Sequence, residues 1–95
     1  MKLEITARHF KLSQSLHEKI NKKIVKIEKY NIKIIICKII LTKDVCSENV
    51  EIICQIKNKS LIAKESLDNF SKSFSKCLEK IIVQIKKQHN KMVDH

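Results

Sequence analysis

Neither glycine nor proline occurs anywhere in the 95 residues. Every turn must therefore be made by residues that carry a Cβ. This disfavours a glycine-rich phosphate loop, a collagen-like or proline-rich linker, and any fold built on glycine-dependent tight turns. A chain of this length is expected to form one domain, residues 1–95, with no room for two independent cores. With 43% apolar residues, that core should be adequate without a disulfide scaffold. No stretch approaches the roughly 18 uninterrupted apolar residues of a membrane span, because Lys38 breaks the longest runs, Ile34 to Cys37 and Ile39 to Leu41. The N-terminus alternates polar and apolar residues and lacks the continuous hydrophobic region of a signal peptide, so a cytoplasmic location is expected and no membrane partner. The four cysteines, Cys37, Cys46, Cys54 and Cys77, form no C-x-x-C pair and are expected to be thiols.

The hydrophobic period changes along the chain. Leu3, Ile5 and Ala7 alternate with Lys2, Glu4, Thr6 and Arg8, a half-buried strand. From Ser13 to about Tyr30 the apolar residues Leu16, Ile20, Ile24 and Ile27 recur at helical spacing, with Ser13 or a Ser15–Glu18 capping box as the start. Residues 34–43 are a β-branched run that suits a central strand, with Ile35, Cys37, Ile39 and Leu41 on one face. Residues 44–49 are polar and predict a turn. Val50, Ile52, Cys54 and Ile56 then mark a strand, Asn58-Lys59 a two-residue hairpin loop, and residues 61–66 a last strand. Phe70, Phe74, Cys77, Leu78, Ile81, Ile85 and Met92 line a long amphipathic helix capped by Asp68 or Asn69. The expected fold is α+β, a two-layer sandwich of order β-α-β-β-β-α, with both helices on one face of a four-stranded sheet. Ile34, Ile36, Ile40 and Ile53 would then lie on the uncovered face.

The net charge of +10 comes from 19 lysines and a single arginine, Arg8, against ten acids. Seventeen isoleucines accompany the lysines, a pairing that AT-rich coding alone would produce. Placement separates drift from function. On a wheel of about 100° per residue, Lys19, Lys22, Lys26 and Lys29 share a sector of about 80° away from the apolar stripe. Lys72, Lys76, Lys80, Lys87 and Lys91 share about 100° of the last helix in the same sense. Acids should be interspersed on a merely solvated face, yet residues 13–31 carry five lysines and two glutamates, and residues 69–95 carry six lysines, Glu79 and Asp94. Two such ridges on neighbouring helices would form an electropositive surface matched to a phosphate backbone. Lysine lacks arginine's planar fork for reading bases, and the four aromatics, Phe10, Tyr30, Phe70 and Phe74, fall mostly on core faces. Backbone and shape recognition of a structured RNA is therefore expected, rather than stacking on single strands.

Met1 to Phe10, the helix start from Leu12-Ser13 to Leu16, Lys23 to Tyr30, and Gln84 to Lys91 together resemble the ribosome hibernation-promoting factor family, also called the ribosome-associated inhibitor or sigma-54 modulation family, in its short form. The resemblance covers the whole chain and the same β-α-β-β-β-α order. It implies a non-enzymatic factor that binds the small ribosomal subunit and its rRNA in stationary phase or stress. There it would lie in the decoding channel and occlude messenger and transfer RNA. It also implies RNA contacts from basic residues on the two helices, here Lys22, Lys23, Lys26, Lys29, Lys86, Lys87 and Lys91. Ribosome dimerisation would need a separate modulation factor, and off the ribosome the chain is expected to be a monomer. The chain departs from the family where glycine is usual, near Ala7 and at Asn58-Lys59, at Asn69-Phe70-Ser71, and at Val83, where a basic residue is common.

Cys37, Cys54 and Cys77 point to the expected core and serve better as small hydrophobes than as zinc ligands. His9 follows the first strand next to Arg8, which ends it, and both could touch RNA, while His17 could extend the basic surface. Ser66, Ser71, Ser73 and Ser75 cluster at a helix start, where serine caps, and no nucleophile–base–acid set accompanies them. No cofactor is expected. The competing readings are a generic double-stranded RNA module, whose usual core lacks this first strand, and a protein-interaction domain using Ile36, Ile40 and Ile53.

Overall fold

The computed structural model describes residues 1–93, with side chains through residue 90; the side chains of Lys91, Met92 and Val93, and all of Asp94 and His95, lie outside the described residues. The elements are β1 (Lys2–Arg8), α1 (Gln14–Ile24) running into a 3₁₀ segment (Val25–Tyr30), β2 (Ile36–Lys43), β3 (Glu48–Ile56), β4 (Lys59–Leu67) and α2 (Phe70–Val93). The sheet order is β1-β2-β3-β4. β1 pairs with β2 in parallel across the α1 crossover, and the other two pairings are antiparallel.

Alternation within the strands selects the face that is buried. Cys37, Ile39 and Leu41 of β2, Val50, Ile52, Cys54 and Ile56 of β3, and Leu61 and Ala63 of β4 join one buried cluster. Ile20, Ile24 and Ile27 from the first helical stretch, Ile32 and Ile34 from the segment before β2, and Phe70, Phe74, Cys77, Leu78, Ile81 and Ile85 from α2 complete it. Both helices therefore cover the same face, and this layering is the expected α+β sandwich. Burying each such isoleucine or phenylalanine contributes roughly 1.5–3 kcal/mol, which offsets the chain entropy lost on ordering.

The helix starts resolve the sequence alternatives. Ser13 Oγ accepts from the Leu16 amide at 3.2 Å, while Glu18 is engaged by Gln14 instead of closing a capping box. Asn69 Oδ1 accepts from the Lys72 amide at 2.9 Å and is the cap of α2, and Asp68 pairs with the Lys72 ammonium. Phe10 stacks on Phe70 with centroids 4.5 Å apart. This contact pins the β1–α1 loop to the start of α2.

Four expectations need correction. The first helix is not continuous to Tyr30: after Ile24 it tightens to 3₁₀, and Asn31 ends it in the left-handed region at φ 57°. β2 starts at Ile36, not residue 34, so Ile34 is buried (5% exposed) and Ile35 is exposed (48%), the reverse of the expected faces. β3 starts at Glu48, ahead of the expected start at Val50, because Asp44 to Ser47 closes the turn with a 2.9 Å backbone bond. The β3–β4 loop is Lys57-Asn58, since Ile56 pairs with Lys59. Asn58 there has φ 65°, and His9 has φ 68°. Asparagine tolerates that region better than most residues with a Cβ, which is how a glycine-free chain makes these turns.

Candidate nucleic-acid interface

α1 and α2 lie side by side in the same direction. Lys19 Nζ donates to Ser71 Oγ at 2.9 Å, and farther along Lys23 and Lys26 share a groove with Ser75, Leu78, Glu79 and Ile82. At the far end Tyr30 meets Lys86. Lys22, Lys26 and Lys29 are exposed and Lys19 and Lys23 half-buried. The 3₁₀ turn has about three residues per turn, so Lys26 and Lys29 stand directly above one another. The sequence wheel, drawn for a continuous α-helix, spreads them apart.

The ridge on α2 divides in two. In its N-terminal half each lysine has a carboxylate partner: Lys72 with Asp68 (3.4 Å), Lys76 with Glu79 (3.7 Å) and Lys80 with Glu65 (2.7 Å). Lys80 Nζ also donates to the Lys64 carbonyl at 3.2 Å, and Gln84 Nε2 to the Ile62 carbonyl at 2.7 Å. The hydrogen bond from Lys80, together with its charge, holds the Glu65 carboxyl below the usual carboxylate range. Among the described residues, Lys22, Lys23, Lys26, Lys29, Lys86 and Lys87 have no carboxylate within 4 Å. The lysines left without an ion-pair partner thus lie on the first helical stretch and the C-terminal half of α2, and not along the whole α2 ridge.

Tyr30 joins these parts. The Lys29 ammonium lies 5.7 Å and the Lys86 ammonium 5.6 Å from its ring centroid. The sequence places Tyr30 at the end of the first helix and among the mostly core-facing aromatics, and gives no sign of these lysine contacts. The acids were more legible, since Asp68–Lys72 and Lys76–Glu79 stand at i,i+4 and i,i+3 spacing, whereas Glu65–Lys80 is a tertiary pair that no local spacing announces.

Arg8 is not brought to this surface. It ends β1 on the opposite face of the sheet, in register with Thr42, beside Asn49 and Ser66. His9 is exposed in the loop after it. Ile36, Ile40 and Ile53 are half-buried on that same outer face, and Ile62, paired with Ile53 across β3 and β4, is 48% exposed.

The serines and cysteines have positive structural explanations. Ser73, fully buried, donates to the Glu48 carbonyl and accepts from the Leu67 amide, tying β3, β4 and α2 together; the cap itself is Asn69. Cys37 and Cys54 face each other across β2 and β3 with sulfurs 3.7 Å apart. Their mutual contact and burial push the Cys37 thiol up. Cys77 donates to the Ala63 carbonyl at 3.2 Å, and burial pushes its thiol up to about 12. Such thiols behave as small core hydrophobes, while Cys46 is exposed in its turn. No helix among the described residues is long and apolar enough to cross a membrane.

The fold recurs in solved structures. The Thermus thermophilus Protein Y N-terminal domain superposes with a TM-score of 0.81 at 13% identity, covering 92% of this chain and 98% of that one. A ribosomal subunit interface protein from Coxiella burnetii superposes with a TM-score of 0.79 at 19% identity, covering 93% and 97%. No curated protein matches the sequence. Residues 3–93 match the family described as sigma 54 modulation protein / S30EA ribosomal protein, nearly the whole chain and every element from β1 to α2. This chain therefore belongs to that family, whose members are ribosome-associated and not enzymes.

Proposed function

We propose that this protein is a hibernation factor that binds the small ribosomal subunit through its rRNA during stationary phase or stress. It would silence translation by occupying the decoding channel and occluding messenger and transfer RNA. The observation that carries this is the set of lysines without an ion-pair partner among the described residues, Lys22, Lys23, Lys26, Lys29, Lys86 and Lys87, in a ribosome-associated family. Ammonium groups on one continuous surface match a phosphate backbone without reading bases. Lys19 sits at the head of the surface. Lys91 belongs to the same proposal. Lys72, Lys76 and Lys80 contribute less because their charges are compensated, and Arg8 and His9 would need a second RNA segment on another side of the molecule. The partner is rRNA in the cytoplasm, the protein acts as a monomer off the ribosome, and any ribosome dimerisation falls to a separate modulation factor.

Sedimentation of tagged protein with ribosomes from starved cells tests this. Co-migration with small subunits and monosomes at low salt is expected, and absence from those fractions would sink the proposal. The half-exposed isoleucines of the outer sheet face favour one competing reading, a protein-interaction module. That reading requires association insensitive to both salt and nuclease.

A further inference from the structure

We propose that Tyr30 is a positioning residue that couples Lys29 and Lys86, from two different elements, into one two-pronged phosphate clamp. This rests on the rRNA-binding function proposed above. The two ammoniums share one ring, at 5.7 and 5.6 Å from its centroid, so they lie no farther apart than the sum of those distances. Two like charges held this close repel each other, and no carboxylate among the described residues lies within 4 Å of either. The electron-rich face of an aromatic ring attracts cations and offsets that repulsion while no anion is bound. A lysine side chain also loses considerable rotamer freedom when a ligand fixes it. Contact with the ring removes part of that freedom beforehand, and prior ordering of this kind strengthens binding.

The backbone around the clamp is fixed on both sides. Ile27 is buried three residues before Tyr30, and Asn31 stops the segment immediately after it. Ile85, adjacent to Lys86, is fully buried. The half-buried Tyr30 packs against the same core, which leaves the ring little freedom to leave the two lysines. With its ring engaged by ammoniums, Tyr30 is a support for phosphate contacts and not a platform for bases.

A double-mutant cycle on the full-length protein, with purified small ribosomal subunits as the binding partner, tests the coupling. Tyr30→Phe keeps the ring and should bind as the parent does. Tyr30→Leu should weaken binding about fivefold, the effect expected from losing cation–ring contacts, and should have no further effect once Lys29→Gln and Lys86→Gln are present. An equal loss in both backgrounds would overturn the clamp while leaving the lysine surface intact. If Lys29→Gln with Lys86→Gln leaves affinity unchanged, the rRNA-binding proposal for this seam fails instead. A measurement on the parent protein covers the case in which Tyr30→Leu does not fold. The ε-methylene protons of Lys29 and Lys86 should show upfield ring-current shifts by NMR, and ordinary shifts at both would overturn the inference.

Discussion

The two halves of α2 carry similar lysines and face different tasks. From Lys72 to Lys80 every ammonium has a carboxylate within 4 Å, and Lys80 binds both Glu65 and a β4 carbonyl. From Lys86 onward the described lysines have none, and one leans on Tyr30 instead. The first half spends its charge on the fold, and the second leaves it free for a ligand. Residue type and helical angle do not distinguish them; the neighbours do. Exposed ion pairs contribute little to stability, typically under about 1 kcal/mol each, but they cancel the field that a polyanion would sense.

The largest test of this contrast is charge reversal in the free region. Lys26→Glu, Lys29→Glu and Lys86→Glu together should weaken small-subunit binding by about a hundredfold near 0.1 M salt and flatten the dependence of log affinity on log salt, read by filter binding across a salt series. Ser73→Ala probes the other half. It leaves the half-buried Leu67 amide without its acceptor and should cost about 1–2 kcal/mol of stability in denaturant unfolding, with affinity unchanged for the folded fraction. Val83→Lys extends the free surface, since Val83 is 51% exposed on α2 next to Lys86 and Lys87, and should raise affinity about threefold. Neutralising Lys72, Lys76 and Lys80 to glutamine should change affinity by less than about twofold, in the same assay; a loss as large as that from the free lysines would erase the contrast. The smallest effect concerns pH. Because the Glu65 carboxyl is lowered in the folded protein, its stabilisation is present above its unfolded value and is lost as pH falls through the lowered folded value. Comparing acid unfolding of the parent with Glu65→Gln should show this component only in the parent.

Much of the fold was legible because period and burial agree. The alternation of Leu3, Ile5 and Ala7 and the helical spacing of Phe70, Phe74, Ile81 and Ile85 each admit one element type, and the order of elements leaves few ways to cover one sheet face. The misplacements occur where local signals compete. Ile34, Ile35 and Ile36 are identical in type, so alternation cannot say which of them faces inward; the start of pairing at Ile36 decides it. The 3₁₀ tightening after Ile24 keeps Ile27 buried and therefore leaves the hydrophobic spacing almost unaltered. The lysine surface was visible as two ridges, but its division depends on Glu65 reaching Lys80 across the sheet–helix boundary. The clamp depends on Tyr30 meeting Lys86 across 56 positions of sequence.

Lys80 and Gln84 reach the carbonyls of Lys64 and Ile62 on the last strand of the sheet. An uncovered outer strand offers a ladder of unmet hydrogen bonds on which another molecule's strand can assemble. Here two side chains of the neighbouring helix occupy rungs of that ladder, one of them a charged group that a second strand would have to bury. A lysine that looks surplus to the proposed RNA binding thus guards the sheet edge of an isoleucine-rich protein against edge-to-edge pairing.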